Sequence, residues 1–238
     1  MTLILNIETA TPVCSVALCL DGKIIAKKES QQHNSHSSLL TVFIDEIFKE
    51  VNFELKLLDA IAVSKGPGSY TGLRIGVSTS KGMCYALDKP LISINTLKAM
   101  ANGMTKLLKL SKSVLFQQNT LLCPMIDARR MEVYSAIFDL NINEIRETKA
   151  EIIDENSFED FLIEKQLVFF GDGAAKCKEV LSKNRNAKFI DNFYPSAEFM
   201  AEISAEKFKN NNFEDVAYFE PFYLKDFIAG KPKVKGLY

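Results

Sequence analysis

The feature that most constrains this chain is a run of three strands that occurs twice. The apolar strand LILNIE ends in the carboxylate Glu8, and the apolar strand LLCPMID ends in the carboxylate Asp127, 119 positions later. Each carboxylate is followed by a short loop, a strand of alternating apolar residues, a polar turn and a third strand. Because the two loops have equal length and the strands follow in the same order, we interpret the pattern as an internal duplication.

Apolar residues at spacings of three and four predict helices in both halves. The predicted helices cover residues 33–51, 70–87, 96–110, 158–165, 174–181 and 197–210. Short apolar runs between them predict strands, so we expect an α/β protein of two lobes with mixed sheets. The sequence SKSVLFQQN is the predicted linker, which gives an N-terminal lobe at 1–110 and a C-terminal lobe at 111–238.

Composition narrows the class of protein. The 238 residues carry a net charge of −1, which argues against an autonomous nucleic-acid binder. No apolar run reaches the ~20 residues of a membrane-spanning helix, and the N-terminal segment lacks the basic region of a signal peptide. The five cysteines show no C-x-x-C spacing, which is typical of buried thiols in a reducing compartment. We therefore expect a cytoplasmic protein without membrane contact.

The stretch GPGSYTGLRIG, residues 66–76, joins a predicted strand to a predicted helix. Glycine at such a turn is often a sign of phosphate binding, because the free N–H groups of a helix N-terminus attract anions. The spacing differs, however, from the P-loop pattern G-x-x-x-x-G-K-[ST], and Pro67 removes one backbone donor. A tight turn with Ser69 as the helix cap is the favoured interpretation.

The helix that follows carries glycine in its interior, where each glycine costs about 1 kcal/mol relative to alanine. Gly72, Gly76 and Ser80 recur every four residues and so form one ridge of small residues. A ridge without bulky side chains lets another helix approach closely. We predict that the neighbour within the chain is the helix from His36 to Val51.

Five motifs together resemble one protein family. They are IETAT with CSVAL near the N-terminus, HSSLL from His36, GPGSYTGLRIG, MIDAR from Met125, and EPFYL from Glu220. The set is similar to the bacterial TsaB family of the actin-like and sugar kinase superfamily, whose members are noncatalytic partners of the acyltransferase TsaD. The resemblance implies two actin-like, ribonuclease H-like lobes. It also implies a scaffold role in forming threonylcarbamoyladenosine in ANN-decoding tRNAs.

The resemblance implies partners as well: a TsaD-type acyltransferase, a TsaE-type ATPase, and a second copy of the chain in a homodimer. In the family, two helices of the first lobe build the dimer interface, including the one with TsaD. The corresponding candidate interface residues are His36, Leu39, Leu40, Phe43, Ile47, Tyr70, Gly72, Leu73, Arg74, Gly76, Val77 and Ser80. A basic tail is interpreted as solvated surface, and indirect or weak contact with tRNA phosphates is left open as the alternative. That tail contains Lys225, Lys231, Lys233 and Lys235.

The resemblance implies that the loops after the two carboxylates match the phosphate-binding hairpins of the actin-like fold. Two interpretations stay open: each carboxylate caps its own loop, or the loops form a vestigial nucleotide cleft. The candidate cleft residues are Glu8, Thr9, Ser15, Asp127, Arg129, Gly171, Asp172 and Gly173. Loop capping is favoured, and weak binding of an adenine nucleotide is left open.

The metal-binding motif of TsaD distinguishes the catalytic family from its noncatalytic partner family. TsaD has an H-x-x-x-H motif after a stretch similar to KGMCYALDKPL, whereas Thr96 and Met100 stand at the two histidine positions here. Neither side chain is a good ligand for iron or zinc. The two histidines of this chain, His33 and His36, have no apparent third ligand. We expect no metal, no cofactor and no catalytic residue, with an actin-like ATPase or a metallopeptidase-type hydrolase as the alternative.

Overall fold

A computed structural model describes residues 1–32, 36–112, 115 and 118–225. His33, Lys231, Lys233 and Lys235 lie outside the described residues, as does part of the predicted linker. The first sheet has five strands in the order β3-β2-β1-β4-β5. These strands are β1 (Leu3–Glu8), β2 (Cys14–Leu20), β3 (Lys23–Ser30), β4 (Ala60–Gly66) and β5 (Leu91–Asn95). Strands β1, β2 and β3 pair antiparallel, whereas β4 pairs parallel with both β1 and β5.

The second sheet repeats this plan in the order β10-β9-β6-β7-β8. Its strands are β6 (Thr120–Asp127), β7 (Glu132–Phe138), β8 (Glu144–Ile152), β9 (Gln166–Phe170) and β10 (Ala187–Ile190). Again the first three strands pair antiparallel and the last two are added in parallel. The predicted α/β class with two mixed sheets is confirmed, and β1 and β6 are the equivalent central strands.

Helices cover the faces of the sheets. They are α1 (His36–Val51), α2 (Tyr70–Leu87), α3 (Thr96–Leu110), α4 (Glu159–Leu162), α5 (Ala174–Leu181) and α6 (Ala201–Lys209), with 3₁₀ turns at Leu55–Leu57 and Ala197–Met200. Local caps explain where two of them begin. The Ser69 hydroxyl accepts a 3.3 Å hydrogen bond from the Gly72 N–H, and the Asn95 side chain accepts one of 3.1 Å from the Lys98 N–H.

The apolar faces define where each helix packs. Helices α1 and α2 lie on one face of the first sheet, where Leu40 and Val77 join a core with Ile7 and Val63. Helix α3 packs between the sheets: Leu97, Met100 and Met104 contact the core of the second sheet, whereas Ala99 belongs to the core on the first. The site described below is therefore built mostly on one side of β1 and β4.

The last described residues return to the first sheet. Met200 and Ala201 pack with Ile4 and Ile92, and α6 follows them onto the same face. Residues 214–225 form a strap, defined here as the segment that hydrogen-bonds along the edge and end of that sheet. Its Glu214 N–H donates to Leu91 O at 2.8 Å, and its Phe222 N–H donates to Lys65 O at 2.7 Å. Residues 197–222 thus follow the second sheet in sequence but pack on the first.

Within the described part of the chain, no helix combines the length and the apolar character that crossing a lipid bilayer requires.

Candidate functional site

The loop between β1 and β2 begins at a carboxyl group that is completely buried. One oxygen of Glu8 accepts hydrogen bonds from the Ala10 N–H at 2.6 Å and from the Ser64 hydroxyl at 2.8 Å. Its other oxygen is buried without a partner among the described residues. Burial raises the pKa of Glu8 to about 7, and these hydrogen bonds oppose the rise only in part. The carboxyl group therefore caps its own loop and carries a proton in a large fraction of molecules near neutral pH.

The N-terminal turn of α2 lies directly on this loop. The Ser69 N–H donates to Ala10 O at 2.6 Å, and the Thr9 hydroxyl donates to Gly72 O at 2.8 Å. A Cβ placed on Gly72 would lie 2.1 Å from the Thr9 carbonyl oxygen, and one placed on Gly76 would lie 2.3 Å from the Thr9 hydroxyl oxygen. These glycines are needed because the backbone of the loop passes against the helix.

This contact corrects the predicted reason for the small-residue ridge. Gly72, Gly76 and Ser80 are buried, and the first two face Thr9 in the β1–β2 loop, not α1. The Ser80 hydroxyl donates to Gly76 O within its own helix at 2.8 Å. A four-residue repeat identifies one side of a helix, but it does not identify the neighbour on that side.

Two further predicted residues also hold the loop in place. The Nε2 atom of His36 lies 2.8 Å from Thr11 O, which ties the start of α1 to the loop. The Ser15 hydroxyl accepts a 3.0 Å hydrogen bond from the Ala197 N–H, so the strand after the loop holds the segment that returns from the second sheet. The loop is thus a point where α1, α2 and this returning segment meet.

The predicted interface set divides by burial. Eight of the twelve residues are buried in the chain's own core, so they position the helices and present no surface to a partner. These eight are His36, Leu40, Ile47, Gly72, Leu73, Gly76, Val77 and Ser80. The remaining four, Leu39, Phe43, Tyr70 and Arg74, are half-buried or exposed. The prediction that α1 and α2 form an interface stays a prediction.

The outward side of α2 carries a stripe of exposed residues, of which the sequence analysis named only Arg74. Thr71, Arg74, Ser78, Gly82 and Tyr85 are all exposed, at the spacings of three and four that mark one helix face. The Tyr85 side chain is 88% exposed, and a Cβ on Gly82 would meet nothing within 4 Å. The signal was present in the sequence, as the complement of the buried ridge.

Aromatic residues order one end of this stripe. The Arg74 guanidinium lies 4.2 Å from the centre of the Tyr70 ring. That ring in turn lies 4.8 Å from the ring of Tyr223 in the strap. The EPFYL motif therefore holds the start of α2.

An apolar groove lies beside the stripe. It has a volume of about 650 Å³ and runs between α1, the segment after it and α2. Apolar lining is provided by Ile44, Phe48, Phe53, Leu55 and Met83. Phe53 and Leu55 are more than a third exposed, which is unusual for large apolar side chains that lie together. This surface is suited to burial against another protein.

The equivalent loop in the second lobe has a different character. Asp127 is exposed, accepts a 2.9 Å hydrogen bond from the Arg129 N–H, and forms an ion pair with Lys176. The Lys176 ammonium also donates to Glu132 O at 2.6 Å. Asp127 thus caps its loop as Glu8 does, but at the surface and with a cation beside it. No motif in the sequence pointed to Lys176.

The Gly171-Asp172-Gly173 turn is closed onto strand β6. A Cβ on Gly171 would lie 2.2 Å from Met125 O, and one on Gly173 would lie 2.8 Å from the carbonyl carbon of Ile126. The Asp172 carboxylate accepts a 3.1 Å hydrogen bond from the Asp127 N–H, and burial raises the pKa of Asp172. These glycines allow close packing of backbone on backbone.

Thr96 and Met100, at the positions of the TsaD histidines, are both completely buried on α3. The terminal methyl of Met100 lies 2.7 Å from the point that a Gly171 Cβ would occupy, so Met100 packs beneath the glycine turn. Within residues 1–32, 36–112, 115 and 118–225, no three His, Cys, Asp or Glu side chains converge in a way that could hold a metal ion.

Comparison with known proteins identifies the family. Residues 23–233 match the family model described as TsaD: tRNA N6-adenosine threonylcarbamoyltransferase. The tRNA threonylcarbamoyladenosine biosynthesis protein TsaB of Escherichia coli K12 is 31% identical, and the alignment covers 96% of each chain. TsaB of Haemophilus influenzae is 29% identical, over 96% of this chain and 95% of its own.

A solved structure shares the fold. The crystal structure of a Pseudomonas aeruginosa protein with similarity to the peptidase YeaZ has a TM-score of 0.80, covering 94% of this chain and 100% of its own at 21% identity. The two-sheet architecture agrees with this structure, and the sequence match to TsaB proteins covers nearly the whole chain. This chain belongs to the TsaB family of tRNA threonylcarbamoyladenosine biosynthesis proteins, within the broader group that the threonylcarbamoyltransferase family model describes.

Proposed function

We propose that this chain serves the formation of threonylcarbamoyladenosine in tRNA as a noncatalytic subunit that binds and orders the threonylcarbamoyltransferase. The match to TsaB proteins along nearly the whole chain carries the proposal. A TsaE-type ATPase would be the third member of the assembly. A homodimer would form through the same surface when the transferase is absent. The site of action would then be the cytoplasm, where tRNA is modified.

The state of the candidate cleft supports a noncatalytic role. Glu8, Thr9 and Ser15 are buried and hydrogen-bonded to the chain itself. The N-terminal turn of α2 lies directly against their loop, where the Ser69 N–H donates to Ala10 O and the Thr9 hydroxyl donates to Gly72 O. A catalytic acid or base must reach the substrate within hydrogen-bonding distance. These groups meet their own backbone instead.

The outward stripe of α2 and the apolar groove support a docking role. Tyrosine and arginine, here Tyr85 and Arg74, are the residue types that most often dominate binding energy at interfaces. The open Gly82 between them lets a partner approach the helix backbone. The groove adds apolar area that a partner side chain could fill.

Reconstitution tests the role in the reaction. We expect the transferase, supplied with tRNA and its threonylcarbamoyl donor, to form threonylcarbamoyladenosine efficiently only when this chain is added. The chain alone should form none, because Glu8, Thr9 and Ser15 are buried and engaged in internal hydrogen bonds. Modified nucleoside in tRNA digests is the measurement. Product formed by this chain without the transferase would contradict the noncatalytic assignment.

A bulky side chain at Gly82 tests the interface. Gly82→Arg should weaken binding to the transferase about tenfold or more, because an unpaired guanidinium buried in an interface costs more than ~1.4 kcal/mol. Thermal stability should stay the same or rise, since the position is open and glycine is a poor helix former. Tyr85→Ala should weaken binding to a similar degree.

The matched control is Ala175→Arg, which adds the same side chain at an exposed position on α5 of the second lobe. Its affinity for the transferase, measured by biolayer interferometry, should equal that of the wild type. Equal affinity for Gly82→Arg and Ala175→Arg would place the interface elsewhere.

A further inference from the structure

A second groove lies where the parallel strands of the first sheet end. It has a volume of about 580 Å³ and is bounded by α3, α6, the ends of β4 and β5, and the turn between β7 and β8. None of its lining residues belongs to the loops after Glu8 and Asp127. In open α/β sheets, ligands bind most often beyond the carboxyl ends of the parallel strands. The position and the size both suit a small ligand.

Three lysines line this groove: Lys65, Lys98 and Lys207. Among the described residues, none of them has a carboxylate within 4.0 Å. The Lys207 ammonium donates to Ser93 O at 2.7 Å, which holds it at the end of β5. Burial lowers the pKa of Lys207; Glu214 opposes this change, while Lys65 and Lys98 lower the pKa further. The three cations are therefore close enough to repel one another.

The acidic groups around the groove are partly engaged elsewhere. Glu202 of α6 forms a 3.1 Å ion pair with Lys106, and Glu214 accepts a hydrogen bond from the Ser93 hydroxyl. Glu206, also on α6, is exposed to solvent. Glu202 and Glu206 themselves line the groove, but among the described residues neither forms an ion pair with Lys65, Lys98 or Lys207.

Neutral donors surround the same space. The groove includes Asn95, which is the N-cap of the fifteen-residue helix α3, so the positive end of that helix lies at its wall. Asn141 of the second lobe and Asn210 and Asn212 at the end of α6 also line the groove. Lysines, amides and a helix N-terminus are together the donor set that recognises phosphate.

We infer that this groove binds a phosphate group, with Lys98 and Lys207 as its direct contacts and Lys65 contributing to the local positive charge. The phosphate could belong to a small molecule of nucleotide size or to the backbone of an RNA strand, since both present the same anionic oxygens. The inference stands apart from the proposed binding to the transferase, because the groove and the α2 stripe share no residue.

Binding of two probes tests the inference. Inorganic pyrophosphate is titrated into the full chain by calorimetry, and a single-stranded RNA decamer is titrated by fluorescence anisotropy at several salt concentrations. Lys98→Met should weaken binding of the recognised probe about tenfold, the loss expected for a charge-assisted hydrogen bond. For RNA, removal of the lysine should also reduce the salt slope by about 1.

Lys98 is the decisive position because it is exposed and its side chain makes no hydrogen bond among the described residues, so its removal should leave the fold intact. Lys98→Arg should retain most of the binding. The matched control is Lys183→Met, which removes an equally positive side chain that is 70% exposed and pairs with Glu155 in the second lobe. It should change affinity less than twofold, in line with a weak surface ion pair.

The probe whose affinity falls in Lys98→Met shows whether the bound phosphate belongs to a small molecule or to an RNA backbone. Weaker pyrophosphate binding by Lys98→Met identifies a small-molecule phosphate, and an effect confined to the decamer identifies an RNA backbone. No binding of either probe by the wild type, or equal losses for Lys98→Met and Lys183→Met, would overturn the assignment.

Discussion

Gly72→Ala should lower the free energy of unfolding by roughly 3 kcal/mol, although alanine is the better helix former. The added methyl would lie 2.1 Å from the Thr9 carbonyl oxygen, well inside van der Waals contact. Backbone on both sides of this contact is fixed, because the Ser69 N–H donates to Ala10 O and the Thr9 hydroxyl donates to Gly72 O. Relief would require the loop and the helix to separate, with loss of these hydrogen bonds.

Gly82→Ala is the matched control in the same helix. A Cβ there meets nothing within 4 Å, so the only effect should be the gain in helix propensity, about 1 kcal/mol. Gly76→Ala should fall between the two, because its obstacle is the Thr9 hydroxyl, which belongs to a side chain. Urea unfolding of the three variants gives the comparison. If Gly72→Ala and Gly82→Ala were equally stable, the close contact between α2 and the β1–β2 loop would be contradicted.

Glu8→Gln should change how stability depends on pH. Because the pKa of Glu8 is raised to about 7, the folded chain holds a proton between about pH 4.5 and 7 that the unfolded chain has released. Stability therefore falls as the pH rises through this window, and the loss amounts to about 3 kcal/mol above it. Glutamine keeps an acceptor oxygen for Ala10 and Ser64 but cannot ionise. The free energy of unfolding of the variant, minus that of the wild type, should thus rise by about 3 kcal/mol from pH 4 to pH 8.

Asp127→Asn is the control for the pH experiment. The equivalent carboxylate is exposed and paired with Lys176, and a surface ion pair is worth about 0–1 kcal/mol. Its difference from wild type should stay nearly constant across the same pH range. Chemical denaturation at five pH values provides both curves. Parallel curves for wild type and Glu8→Gln would mean that Glu8 is not a buried, proton-binding group.

Most of the helices and strands could be predicted because they follow from the local spacing of apolar residues. Helices α2, α3 and α5 have the predicted bounds, since apolar residues recur at helical spacing and Ser69 and Asn95 supply caps. The duplication predicted two lobes with mixed sheets, because the strands after Glu8 and Asp127 follow one pattern, and the structure adds that the two sheets share one strand order. The 3₁₀ turn at Leu55–Leu57 was missed, since three residues are too few to show a period.

The site was harder to predict because it depends on contacts between distant residues. The four-residue repeat identified the buried side of α2, but only the folded chain shows that Thr9 is its neighbour. The same strand-loop pattern buries Glu8 and exposes Asp127, because α2 covers the first loop and Lys176 lies beside the second. The direction of a helix face follows from sequence, whereas the partner across it is set by tertiary packing.

The return of α6 and the strap to the first sheet has a consequence for synthesis on the ribosome. Strand β5 ends at Asn95, but apart from Ala99 the residues that cover Ile4 and Ile92 begin near Met200, more than a hundred positions later. At about 5–20 residues per second, this delay is on the order of ten seconds. During that time the apolar face of the first sheet that carries Ile4 and Ile92 stays exposed, because the segment that covers it has not yet been synthesised. During this period, chaperone binding to the nascent protein competes with aggregation. The period ends only when the hydrogen bonds from Glu214 to β5 and from Phe222 to β4 can form.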